Sequence, residues 1–304
     1  MSERILEIRK NSYALGIGPE NGGCVTFFKK AATDIFAPFN QDHPASIVMT
    51  PIGNRQSCTR SVNGVEYRVG SQHGKETGNY LHGDGWKSSW SVKAHEDEHI
   101  ILSHTKNQTP EACDSYYAEQ EFRLLENDTL LMGVSVTNTG KDDLVAGPGH
   151  HPWFPRDEQT IVRIDAPAQK VWVFDYNMRL QPSSLIDLPA EWDFNSGVRM
   201  MNEKLPSTIS IADEFLMDSC IPNVGAIHVI QPSQGFEIVM TTDRKGHAVV
   251  YNPTREKDFC VVEAVPSIPY AAQLMAQGVK DTGATVLKTG ETMKFNTYLK
   301  IQQL

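Results

Sequence analysis

His150 and His151 stand in the run Gly147-Pro-Gly-His-His-Pro-Trp-Phe154, between a Gly/Pro lead-in and an aromatic pair. Imidazole titrates near neutral pH, so a histidine held beside aromatic surface is suited to moving protons on a ligand that stacks. Pro152 restricts the residue before it to extended backbone, and neighbours on an extended chain point to opposite faces. One histidine is therefore expected to face a ligand and the other solvent or packing, with His151, fixed by Pro152, at the ligand. Divergent side chains, and the lack of HxH or HxxxH spacing in this segment, speak against a shared metal.

Three further segments set polar groups beside turns and aromatics. In Pro51-Ile-Gly-Asn54-Arg55 a Gly/Pro context exposes a guanidinium whose forked donors can hold sugar or carboxylate oxygens; a plain surface arginine is the alternative. In Tyr80-Leu-His82-Gly-Asp-Gly-Trp86, with Trp90 nearby, a histidine lies close to flat apolar rings suited to the C–H face of a pyranose. The alternative there is a core histidine capping a turn. In Phe259-Cys-Val-Val-Glu263-Ala-Val-Pro266-Ser267 a carboxylate ends an apolar strand, a costly placement unless it is paired or functional. Partial burial would tune it upward as a general base; a solvated residue at the strand's rim is the alternative.

The elements that must carry these residues are strands. Leu130, Met132, Val134 and Val136 alternate along one face of a run closed by Asn138-Thr-Gly140, and Phe236, Ile238 and Met240 alternate behind the Pro232–Gly235 turn. Val62-Asn-Gly-Val65 has the signature of a two-residue hairpin. Apolar runs at Ile100–Leu102, Val171–Phe174, Ala226–Ile230, Ala248–Tyr251, Phe259–Val262 and Thr297–Ile301 add strands, against one short helix near Tyr270–Gln277. Short strands with frequent turn signals indicate an all-β sandwich or barrel, and the absence of repeats or linkers indicates one domain over 1–304.

Composition narrows the partners. With 28 Lys+Arg against 37 Asp+Glu, net charge -9, and scattered basic residues, nucleic acid and anionic membranes are not expected. Cys24, Cys58, Cys113, Cys220 and Cys260 form an odd set without a CxxC pair, which favours reduced thiols. The start is charged and no 18 apolar residues run together, so a cytoplasmic protein is expected. Phosphate loops of the GxxxxGK[ST] or GxGxxG type and a GxSxG elbow are absent from the sequence.

In order and spacing, these segments resemble the aldose 1-epimerase (galactose mutarotase) family. The resemblance runs through Gly53-Asn54-Arg55, Leu81-His82-Gly83, His151-Pro-Trp-Phe154, Leu216-Met-Asp218-Ser-Cys220, Val262-Glu263 and Leu287-Lys-Thr-Gly290-Glu291. It implies a large antiparallel β-sandwich of the galactose mutarotase type, or supersandwich, and an isomerase that interconverts the α and β anomers of a free sugar without cofactor or metal. It further implies Glu263 as base, His151 as acid, His82 as a second catalytic histidine, and Arg55 and Asp218 as ligands of sugar hydroxyls, with Trp153 beside them. The Gly-Pro-Gly lead-in and Pro152-Trp153 differ from the archetypal galactose enzymes, as does Ala-Val-Pro266 after Glu263.

Such chemistry takes a proton from the anomeric hydroxyl while one is given to the ring oxygen. Burial is expected to raise the Glu263 pKa, and the neighbouring carboxylate to raise that of His151. Two other functions use the same residues: a non-catalytic carbohydrate-binding or regulatory module, and a hydrolase or lyase employing Glu263 with Asp218 as paired carboxylates.

Overall fold

The computed structural model describes residues 4–40, 43–57, 59–62, 65–68, 79–108, 114–166, 170–173, 185–187, 190, 193–201, 219–253 and 256–304. Two large antiparallel sheets dominate. The first, of 11 strands, runs in the order Leu6–Lys10, Tyr13–Gly18, Cys24–Lys30, Ser46–Met49, Gly149–Pro155, Phe259–Val265, Gly246–Tyr251, Ser219–Val224, Lys170–Val173 and Leu185–Asp187, with Thr33–Asp34 paired beside Cys24–Lys30. The second, of nine strands, runs Ser91–Glu96, His99–Lys106, Tyr116–Leu125, Thr129–Asn138, Thr292–Gln303, Phe236–Thr242, Ile227–Gln231, Ile161–Ile164 and Val198–Arg199.

Alternation builds the interior. Phe122, Leu124, Leu130, Met132, Val134 and Val136 project from the nine-stranded sheet to meet Val48, Phe154, Ala248, Val250, Cys260 and Val262 from the other, in one apolar cluster. The intervening residues of Gly149–Pro155, Phe259–Val265 and Gly246–Tyr251 consequently face the far side of the 11-stranded sheet. That outer face carries His151, Trp153, Val261, Glu263, Val249 and Tyr251.

The expected strands form, including Val62↔Val65 pairing across a two-residue connection whose Asn63 and Gly64 lie outside the described residues, as does Phe174. The expected helix is Ala271–Ala276. Glu263 is corrected in place: it sits inside the strand Phe259–Val265, which is buried throughout, rather than at its rim.

Candidate functional site

The strands Gly149–Pro155 and Phe259–Val265 pair antiparallel with Trp153↔Val261 and Phe154↔Cys260. Continued two residues further, this register places His151 opposite Glu263. The side chains meet there, with His151 Nε2 3.4 Å from Glu263 Oε1. His150 points the opposite way into the core, its ring edge-on to Phe122 at 5.7 Å. The divergence inferred from Pro152 is thus what separates the two histidines.

Segments above this face bring in the other groups. The Gly147 lead-in is bonded to Pro51–Gly53 in both directions, with Gly53 N donating to Gly147 O (2.9 Å) and Gly147 N donating to Pro51 O (3.0 Å). A Cβ on Gly147 would lie 2.3 Å from Ser267 Oγ, so a residue without one lets these backbones close together. Arg55–Ser57 pairs with Asn79–Leu81, His82 N donates to Asn54 O (2.9 Å), and Tyr270 N donates to Arg55 O (2.6 Å). Asn54, His82 and Tyr270 all have left-handed backbone, at φ 56°, 58° and 57°. Such strain in non-glycine residues is retained where surrounding contacts hold it, and here it gathers around Arg55.

His82 presents its ring at 74° to that of His151, with centroids 4.7 Å apart. The Trp153 ring also lies against His151, with centroids 4.2 Å apart. Of the residues named from sequence, Arg55, His82, His151, Trp153 and Glu263 converge on this face; Asp218 lies outside the described residues.

The tryptophans near His82 play a different part from the one expected. Trp90 is buried between the sheets and donates to Gly85 O (2.9 Å), while Trp86 donates to Leu81 O and Gly83 O. Both rings hold the His82 turn, and Trp153 is the indole at the site. Arg156 is likewise committed to the protein, donating to Asn252, Pro253 and Lys257. Sequence reasoning passed over His43, Tyr251, Phe259 and Tyr270. Phe259 stands in the Glu263 segment, where it reads only as part of an apolar run; His43, Tyr251 and Tyr270 lie outside the four segments that carry the other site groups, and only sheet pairing and the loops above this face assemble them.

Glu263 is 1% and His151 8% exposed. Loss of water pushes the Glu263 carboxyl up to about 8, against the opposing influence of Arg55. The same desolvation holds His151 down at about 3, and Arg55 and His43 push the same way. The expected rise of His151 is therefore corrected: removal of water from imidazolium dominates, and Glu263, itself protonated up to about 8, offers no carboxylate charge to offset it. Arg55 is lowered from its usual value by burial, with Tyr270, Glu263 and Tyr251 opposing. Between about 3 and about 8 the pair thus holds one proton.

Comparison with known proteins bears on the fold and the family. An uncharacterised Escherichia coli K12 protein, YphB, is 29% identical over 228 residues, 73% of this chain and 72% of that protein. A crystal structure of an E. coli K12 protein provisionally named an aldose 1-epimerase superposes with a TM-score of 0.83 at 22% identity, covering 99% of each chain. A GalM/aldose epimerase homologue from Caenorhabditis elegans superposes at 0.80 with 13% identity, again over 99% of each. These likenesses establish the galactose mutarotase-like fold. The aldose 1-epimerase family model matches residues 5–300, and with nearly its whole length inside that match the chain belongs to the aldose 1-epimerase family.

Proposed function

We propose that the protein interconverts the α and β anomers of a free aldose, with Glu263 and His151 exchanging protons with the sugar. The observation that carries this reading is the buried contact between them, 3.4 Å across two adjacent strands. Carboxyl with neutral imidazole, and carboxylate with imidazolium, are two arrangements of the same single proton, and the contact lets one convert into the other.

In the charged arrangement, whose carboxylate Arg55 favours by its proximity, Glu263 takes the proton of the anomeric hydroxyl. His151 gives its proton to the ring oxygen, the bond from C1 to that oxygen breaks, and C1 becomes an aldehyde. The pair is left as carboxyl and neutral imidazole, the arrangement that burial stabilises. Rotation about C1–C2 turns the other face of the aldehyde to the hydroxyl. Closure reverses the transfers: His151 removes the hydroxyl proton, its oxygen attacks C1, and Glu263 returns a proton to the anomeric oxygen. Proton count is restored and no other reactant is consumed. His82, edge-on to His151, orients the imidazole and shares in proton transfer, and Arg55 and Asp218 hold sugar hydroxyls. Trp153 supplies a flat surface for the C–H face of the ring.

Polarimetry of anomerically pure hexoses, pentoses, deoxy sugars and sugar 6-phosphates tests the proposal and sorts the substrates. Faster equilibration of at least one sugar is expected. Calorimetric sugar binding with no acceleration would instead identify a binding module, and cleavage of an oligosaccharide would identify a hydrolase or lyase.

A further inference from the structure

His43 is buried, precedes Pro44, and lies far in sequence from both residues of the proton-transfer pair. Its ring lies flat on Trp153, at 6° between planes and 5.4 Å between centroids, and edge-on to Phe259 at 4.5 Å. Trp153 in turn touches His151 at 4.2 Å. A continuous series of rings therefore runs from His43 through Trp153 to His151 and ends on Glu263.

The hydrogen bonds around His43 define its tautomer. Pro44 O, 2.8 Å from Nδ1, can only accept, so Nδ1 carries the hydrogen. His43 N donates to Asn40 Oδ1 (3.0 Å), which turns the Asn40 amide so that its Nδ2 donates to His43 Nε2 (3.1 Å). Asn40 N also donates to His43 O (3.0 Å). The backbone on either side holds Trp153 as well: Ala37 N donates to Trp153 O (2.7 Å) and Trp153 N donates to Ala45 O (3.0 Å). Trp153 remains half-buried, so part of the indole is open to a ligand.

We propose that His43 is a positioning residue for the site, its flat ring fixing the plane of Trp153 and, through it, the His151 imidazole and the surface offered to the sugar. The proposal rests on the reading of this site as an acid/base pair acting on a sugar. What matters is the stacked face, which a phenyl ring also supplies. Asn40 is exposed, so water takes over its bond when the imidazole is replaced.

The test compares His43→Ala with His43→Phe. Loss of the face in His43→Ala lowers kcat/KM by about tenfold to a hundredfold, whereas His43→Phe stays within about threefold of wild type, because misplacing a reacting group by an ångström is enough for such losses. NMR of histidine-labelled protein supplies a readout independent of turnover: the His151 imidazole signals, identified by their loss in His151→Ala, shift in His43→Ala and hold in His43→Phe. A folded His43→Ala with wild-type activity and unmoved His151 signals overturns the proposal. So does a His43→Phe variant that falls as far as His43→Ala, since the role would then belong to the turn's hydrogen bonds. If His43→Ala does not fold, His43→Phe decides alone, retention supporting the proposal and loss overturning it. Wild-type protein that anomerises no sugar removes the proposed function, and the NMR comparison still judges His43.

Discussion

At the scale of single residues, the site is organised by the loss of water from two groups that would otherwise carry opposite charges. Because the pair holds one proton between about 3 and about 8, kcat/KM measured against pH should be level from pH 5 to 7. Above about 8 it should fall by about tenfold per pH unit as that proton leaves. Activity that instead keeps rising through pH 9 would mean that ionised Glu263 acts alone. The same burial marks stability. Glu263 keeps its proton in the native state up to about 8, whereas the unfolded chain releases it near 4.5. Between those values the native state binds more protons, so this group's contribution to stability falls as pH rises, by up to about 1.4 kcal/mol per unit. His150, His151 and His247, held at about 3, 3 and 4, have the opposite effect, which ends near 6.5. From pH 6.5 to 8 the loss due to Glu263 should therefore be visible in urea unfolding of wild type and absent from Glu263→Gln. Equal slopes would place the carboxyl's titration elsewhere.

At the scale of elements, strands were easier to foresee than their partners. Alternation in Leu130–Val136 and Phe236–Met240 made those strands legible, and Pro152 told His151 from His150, because both signals are local. Nothing local indicates that Gly149–Pro155 lies beside Phe259–Val265, the pairing that brings His151 to Glu263. Sequence proximity misplaced Trp86 and Trp90 for a related reason: the turn carrying His82 folds back on itself, so its nearest rings support it rather than share its ligand. That support gives a test. Gly83 has φ 72°, and a Cβ there would sit 1.7 Å from Thr50 O. Gly83→Ala should lower stability by about 1–3 kcal/mol in urea and weaken anomerisation as His82 shifts. A variant with wild-type stability and turnover would show that this turn tolerates displacement and does not position the histidine.

At the scale of the whole molecule, one apolar cluster joins the inner faces of both sheets, from Leu6 and Ile8 to Leu299 and Ile301. Chain ends and middle share it, so the sheets cannot separate without exposing apolar surface on both. We expect one cooperative unfolding transition in calorimetry and in urea; two resolved transitions would contradict a single domain over 1–304. The core also explains how a sandwich holds a polar site: strands direct alternate residues into it and leave the others for chemistry on the outer face, under loops drawn from distant parts of the chain. Exchange spectroscopy by NMR on an equilibrated free aldose tests the central claim most directly. Wild-type protein should produce cross-peaks between the α and β H1 signals, growing in proportion to protein concentration, and Glu263→Gln or His151→Ala should reduce that rate by about a hundredfold or more. Exchange no faster than in buffer for every sugar tried, or undiminished in both variants, would contradict the account.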